Sequence, residues 1–147
     1  MNAQEFLTLA DSICNEGSAG ARSATSRAYY GVFHLSLAAL RETGVAISEN
    51  SNSHSNAAQC LQNLPSENAK NAGSLLGMLH GSRVQADYRL KTLDADNSTV
   101  AKLAIAQARR IESFLLQFRK ELETNRVAIR NELVSYCRMR GVKFTAL

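Results

Sequence analysis

The feature that most constrains this chain is a long helical repeat of apolar residues in its C-terminal half. Apolar side chains recur there at steps of three and four residues, the spacing that places them on one face of an α-helix. The repeat comprises Val100, Leu103, Ala104, Ile111, Leu115, Phe118 and Leu122. The stripe continues to Tyr136, so the sequence predicts either one very long helix to about Met139 or a break near residues 123–125.

The remainder of the chain also favours helices over strands. It contains 147 residues, enough for one compact domain, and only one proline, Pro65. No segment shows the alternation of a strand, and Ser66 and Ser98 stand where helix N-caps are expected. Four further helices are predicted, over about residues 3–15, 21–44, 56–64 and 67–90. We therefore expect an all-α bundle of about five helices, with a polar loop over residues 46–56.

Charge is distributed unevenly along the chain. Its formal net charge is +4, and residues 119–147 hold seven basic but only three acidic residues. Such a basic end can contact nucleic acid phosphates or an acidic partner, or it can be an ordinary solvated helix face. We divide the chain into a bundle over residues 1–123 and a basic helical extension over residues 124–147.

Several classes of protein are not expected. No apolar run reaches the roughly 20 residues of a membrane helix, and the N-terminus does not resemble a signal peptide, so we expect a cytoplasmic protein without membrane contact. The three cysteines are widely spaced and form no CxxC pair, which argues against a disulfide framework and a zinc site. No two histidines stand four residues apart. We expect neither a metal nor a cofactor.

The second predicted helix carries an unusual polar edge in the segment SRAYYGVFHLSLAAL, residues 26–40. Helical spacing places Tyr29 and Phe33 in the core stripe. The same spacing places Arg27, Tyr30 and His34 together on a flanking sector.

The fourth predicted helix repeats the arrangement. His80, Arg83 and Asp87 share one sector, whereas Tyr88 is expected on another face. Its core face is predicted to contain Leu75, Met78, Leu79, Ala86 and Leu90. If the second and fourth helices pack side by side, their polar edges form one cleft suited to an anionic ligand, since arginine neutralises phosphate and histidine moves protons near neutral pH. The alternative is a hydrogen-bond network that only fixes how the two helices pack.

Two motifs in this region resemble those of the small stand-alone HEPN domains of bacteria and archaea. The first motif is Ser26, Arg27, Ala28, Tyr29, Tyr30, Phe33 and His34, and the second is Arg83, Ala86, Asp87 and Tyr88. His54 stands where that group often has a loop histidine. The resemblance covers roughly residues 4–123.

The resemblance implies an up-and-down helical bundle that forms a homodimer. It also implies an effector of a toxin–antitoxin or defence system that acts on or binds RNA, with a nucleotidyltransferase-type antitoxin as partner. HEPN ribonucleases cleave RNA without metal, using an arginine followed after four to six residues by a histidine. By this resemblance Arg83, His34 and Asp87 are candidate catalytic residues, and His80 is added because helical spacing places it beside Arg83. Arg27, Tyr30, Tyr88 and His54 are candidate RNA- or ligand-binding residues.

The sequence departs from this pattern after Arg83. Tyr88, Arg89 and Leu90 occupy the positions at which the family's histidine is expected. A phenol, with an ordinary pKa near 10, is a poor base at pH 7. Three hypotheses follow: a HEPN-type ribonuclease effector, a non-catalytic HEPN module that binds a nucleotide, RNA or protein, and a purely structural helical protein.

Overall fold

The computed structural model describes residues 2–147 and confirms the all-α fold. Five α-helices build the molecule: α1 (Ala3–Ile13), α2 (Gly17–Glu42), α3 (Ser53–Gln62), α4 (Glu67–Tyr88) and α5 (Ser98–Arg140). A 3-10 helix at Leu93–Asp96 precedes α5, and two short strands, β1 (Val45–Ile47) and β2 (Phe144–Ala146), complete the fold. No helix within residues 2–147 is both long and apolar enough to cross a membrane.

The central helix is α2, which packs against α1, α4 and α5. Its buried face is rich in small residues, among them Ala21, Ala24 and Ala28, which permit close approach of neighbouring helices. A Cβ placed on Gly31 would lie 3.1 Å from the Ala3 carbonyl oxygen, so α1 crosses α2 where a larger residue would crowd it. This close packing leaves one edge of α2 available to α3 and α4.

Of the two predicted N-cap residues, one is confirmed and the other is wrong. The Ser66 hydroxyl accepts a hydrogen bond from Ala69 N, as the predicted cap of α4 should. The predicted cap of α5, Ser98, is wrong, because the Asn97 side chain accepts from Thr99 N instead. At its other end α5 stops at Gly141, whose φ of +69° suits glycine.

The long helix α5 runs without a break for 43 residues, across the boundary we placed after residue 123. Residues 123–128 are exposed on every side of the helix, and packing resumes at Ile129 and Leu133. After Gly141 the chain folds back, and β2 pairs with β1 in antiparallel register. These two strands, inside segments predicted as loop and helical tail, are three residues each and too short to show an alternating pattern.

Some predicted core positions of α4 are exposed in the structure, although Leu79 and Ala86 are buried as predicted. In α4 the buried leucines are Leu76 and Leu79, whereas Met78 is 61% exposed and Leu90 lies beyond the helix and is 74% exposed. In α1 Leu7 is buried in the core, whereas Leu9 is 45% exposed. Small buried residues line much of α4, so its large apolar residues do not by themselves mark the buried face.

Candidate functional site

The edges of α2 and α4 meet as the sequence predicts, and Arg83 lies at the junction. Its Nη2 donates a hydrogen bond to the Tyr30 hydroxyl at 2.5 Å, and its Nε lies 3.0 Å from Oδ2 of Asp87. The Ser26 hydroxyl donates to the same carboxylate oxygen at 3.0 Å. Two helices are thereby joined by an arginine, a carboxylate and two hydroxyls.

Arg83 is nearly buried, with 7% of its surface exposed, yet its donors are incompletely used. Nε is buried and its N–H is not directed at the nearby Asp87 oxygen, so it lacks a hydrogen bond. Within residues 2–147, Nη1 also has no hydrogen-bond partner. Buried polar donors are normally satisfied, so an arginine in this state is a candidate for binding an external anion.

Aromatic rings surround the Arg83 guanidinium. Its carbon lies 5.1 Å from the centre of the Tyr30 ring, 5.3 Å from that of Tyr88 and 5.9 Å from that of Tyr29. These distances suit cation–π attraction. The expectation that Tyr88 faces away from the cluster is wrong; its ring covers Arg83 while remaining 69% exposed.

Two histidines from different helices stack beside this arginine. The rings of His54 and His80 lie 5.3 Å apart, centre to centre, with an interplanar angle of 14°. His80 precedes Arg83 by one turn of α4. The predicted loop position of His54 is wrong, because α3 begins at Ser53 and carries His54 in its first turn. The Tyr29 hydroxyl lies 2.6 Å from Nδ1 of His54 and fixes the orientation of that ring.

Burial and positive charge set the protonation of the pair. Burial lowers the pKa of His80, and the Arg83 charge lowers it further. The pKa of His54 is lowered by burial first and then by His80, Arg83 and His34. Burial raises the pKa of Tyr29, so its hydroxyl keeps its proton. Both stacked histidines are therefore neutral at pH 7 in the free protein and able to accept a proton.

The remaining predicted residues lie at the rim. His34 is exposed, with its ring 6.5 Å from the Tyr30 ring and 5.8 Å from the Phe6 ring. The Arg27 guanidinium carbon lies 5.6 Å from the centre of the Tyr30 ring. We name the Arg83-site by its inner members Tyr30, His54, His80, Arg83 and Asp87, with Arg27, His34 and Tyr88 at its edge.

An open pocket adjoins the Arg83-site between α2 and the turn that precedes α3. Its volume is about 200 Å³. The lining residues are Tyr30, Phe33, His34, Glu49, Asn50, Ser53 and His54. Tyr30 and His54 belong to both the pocket and the Arg83-site, so a bound molecule can contact both.

Sequence reasoning overlooked two side chains of the site and one structural arginine. Ser26 contacts Asp87, and Tyr29, assigned only to the core, holds His54. A signal existed for Tyr29, since a buried tyrosine hydroxyl needs a partner. Arg22 gave no such signal, because most of its partners are backbone carbonyls at and beyond the end of α4, contacts that no side-chain pattern reveals.

No group of three or more His, Cys, Asp or Glu side chains within residues 2–147 is placed to hold a metal ion. Comparison of the chain with protein-family models, with curated proteins and with solved structures finds no match. The chemistry of the Arg83-site therefore rests on its own geometry.

Proposed function

We propose that this chain is a cytoplasmic HEPN-type effector of a prokaryotic toxin–antitoxin or defence system that cleaves RNA without a metal ion. The observation that carries the proposal is the stacked pair of His80 and His54 beside Arg83. The HEPN-like pattern lacks its histidine after Arg83, and these two rings supply imidazole groups from other positions.

The reaction needs three contributions. The ribose 2′-oxygen attacks the adjacent phosphorus while its proton passes to a base, and the bond from phosphorus to the 5′-oxygen breaks as that oxygen gains a proton. The products are a 2′,3′-cyclic phosphate and a 5′-hydroxyl. Neutral His80 suits the base, and Arg83 suits the stabilisation of the extra negative charge on the phosphate.

His54 suits the acid once RNA is bound. Both histidines are neutral in the free protein, but a phosphate in the Arg83-site raises the pKa of a nearby imidazole. One histidine can therefore take up a proton on binding and return it to the leaving 5′-oxygen. Because the rings are parallel and adjacent, their individual roles are exchangeable in this scheme.

The proposal includes two partners that the family resemblance implies. A homodimer would place two such sites near each other, and a nucleotidyltransferase-type antitoxin would act on the effector. Tyr88 supports the second partner, since its 69% exposed side chain is accessible for covalent modification and lies against Arg83.

A second candidate is a non-catalytic module that binds RNA or a nucleotide. It is favoured by the absence of a histidine four to six residues after Arg83, where Tyr88, Arg89 and Leu90 stand. A binding module would retain salt-sensitive RNA affinity but leave the RNA intact.

The test is RNA cleavage by purified protein in EDTA, with His80→Ala and His54→Ala beside the wild type. We expect the wild type to cleave and each variant to lose 10²-fold or more in rate, as removal of a general acid or base does. Glu123→Ala, at an exposed position of α5 that belongs to neither the Arg83-site nor its pocket, is the control and should retain the activity. Intact RNA after incubation with folded wild-type protein would overturn the proposal in favour of the binding module.

A further inference from the structure

The pocket beside the Arg83-site has the features of a nucleobase site. Aromatic and imidazole rings, those of Tyr30, Phe33 and His54, form one part of its lining. The Phe33 and His54 rings lie 4.5 Å apart, and Tyr30 and His54, which are less buried than Phe33, offer ring surface at the pocket. Nucleic acid bases stack on such surfaces because every base presents a flat π-face.

The rest of the lining is polar and, apart from His34, belongs to one segment of the chain. It comes from the turn before α3, where Glu49 and Asn50 precede Ser53. Glu49 is exposed and, within residues 2–147, forms no ion pair. The Asn50 Oδ1 atom accepts from Asn52 N at 2.8 Å, which holds the turn in shape. The unpaired carboxylate of Glu49 is thus the one negatively charged group of the lining that a base edge would meet, beside His34 and the Asn50 amide.

A carboxylate accepts hydrogen bonds and donates none, so it distinguishes bases by their donors. Adenine, cytosine and guanine all present an exocyclic amino group, whereas uracil has only its N3–H as a donor, and the position of the cytosine amino group is in uracil a carbonyl oxygen that a carboxylate repels. The negative charge also opposes a phosphate in the pocket itself. The phosphate is better placed at Arg83, which contacts the Tyr30 hydroxyl and is not part of the pocket lining.

From these contacts we propose that the pocket binds the base of a nucleotide whose phosphate occupies the Arg83-site, and that Glu49 selects bases that carry an amino group, such as cytosine, over uracil. The inference rests on the proposed function, since it assumes that RNA is the ligand. It adds base selectivity, which the RNA-cleaving chemistry does not require.

The test compares binding of three fluorescent homopolymers of equal length: oligoadenylate, oligocytidylate and oligouridylate. All carry 2′-O-methyl groups, so that the 2′-oxygen cannot attack and binding is measured without cleavage. Titrations in EDTA at fixed salt are made with wild type, Glu49→Ala and the control Glu123→Ala. Glu123 belongs to the exposed stretch of α5 over residues 123–128, and it does not line the pocket.

We expect the wild type to bind oligocytidylate roughly three- to tenfold more tightly than oligouridylate, the effect of about one hydrogen bond. Cytosine and uracil share one ring size, so their ratio is insensitive to stacking area. Removal of either carboxylate should strengthen binding of all polymers slightly by reducing negative charge, but only Glu49→Ala should bring the ratio to about one.

Equal affinity of the wild type for the two pyrimidine polymers would overturn the base-selective pocket while leaving RNA binding intact. Survival of the preference in Glu49→Ala, or its loss in Glu123→Ala as well, would also overturn it. If none of the polymers binds even at low salt, the proposed function fails together with the inference.

Discussion

Two arginines in the contact between α2 and α4 are almost equally buried, yet their surroundings differ. Arg22 is 9% exposed and Arg83 is 7% exposed. The guanidinium of Arg22 donates to backbone carbonyls at and beyond the end of α4 and to a carboxylate of the 3-10 helix. Its acceptors are Gln85, Ala86, Arg89, Leu90, Thr92 and Asp96. Arg83 has one hydroxyl and one poorly aligned carboxylate as partners.

This difference separates a structural arginine from a candidate functional one. Every nitrogen of Arg22 is used, and the carbonyls it binds have few other donors, because the last turn of a helix leaves its carbonyls unpaired. Arg83 retains unused donors next to an open pocket and two neutral histidines. Burial alone does not distinguish the two residues, whereas hydrogen-bond satisfaction does.

The largest expected effect is on catalysis at Arg83. Arg83→Met should lower the rate of RNA cleavage by about 10²- to 10³-fold, because a preorganised charge at the phosphate is lost. Its free energy of unfolding should fall by only about 1 kcal/mol, since Asp87 and Tyr30 reach solvent once the arginine is gone. Rate measurements and urea unfolding of the same preparation check both parts. A fully active Arg83→Met protein would remove Arg83 from the site.

The next effect is on stability at Arg22. Arg22→Met should lower the free energy of unfolding by about 3 kcal/mol, because several buried carbonyls lose their donor together. The cleavage rate per folded molecule should change far less than in Arg83→Met. Urea unfolding followed by circular dichroism measures the first quantity. If Arg22→Met proves as stable as Arg83→Met, the distinction between the two arginines is lost.

The smallest effect is on histidine protonation. We expect the pKa of His54 and His80 to lie below the ordinary 6.5, mainly through burial, and to rise partway toward it in Arg83→Met but not in Arg22→Met. Because the pKa values are lower in the folded protein, the free energy of unfolding is highest above pH 6.5. It falls as the pH drops from 6.5 through the folded-state pKa values, since protons then bind the unfolded chain more tightly. NMR titration of the three imidazole signals measures each directly. Unchanged values in Arg83→Met would show that Arg83 does not act on the pair.

The sequence predicted those features that depend on local spacing. Periodicity located α5, and the polar edges of α2 and α4 were identified because their residues lie on the same helices. His54 was misplaced because a stretch rich in serine and asparagine has no apolar period, although α3 begins within it. Arg22 was missed because it binds backbone atoms about 63–70 residues away along the chain. Contacts of that kind become visible only once the helices are packed.

The most direct test of a metal-independent ribonuclease is cleavage of a 2′-O-methyl RNA that contains one ordinary ribonucleotide, a cytidine, in EDTA. The proposed chemistry predicts a single cut on the 3′ side of that cytidine, leaving a 2′,3′-cyclic phosphate, and no cut in the fully methylated oligomer. Cleavage of the fully methylated oligomer would contradict attack by the 2′-oxygen. Failure to cut either oligomer, by protein that also leaves natural RNA intact, would contradict catalysis at Arg83.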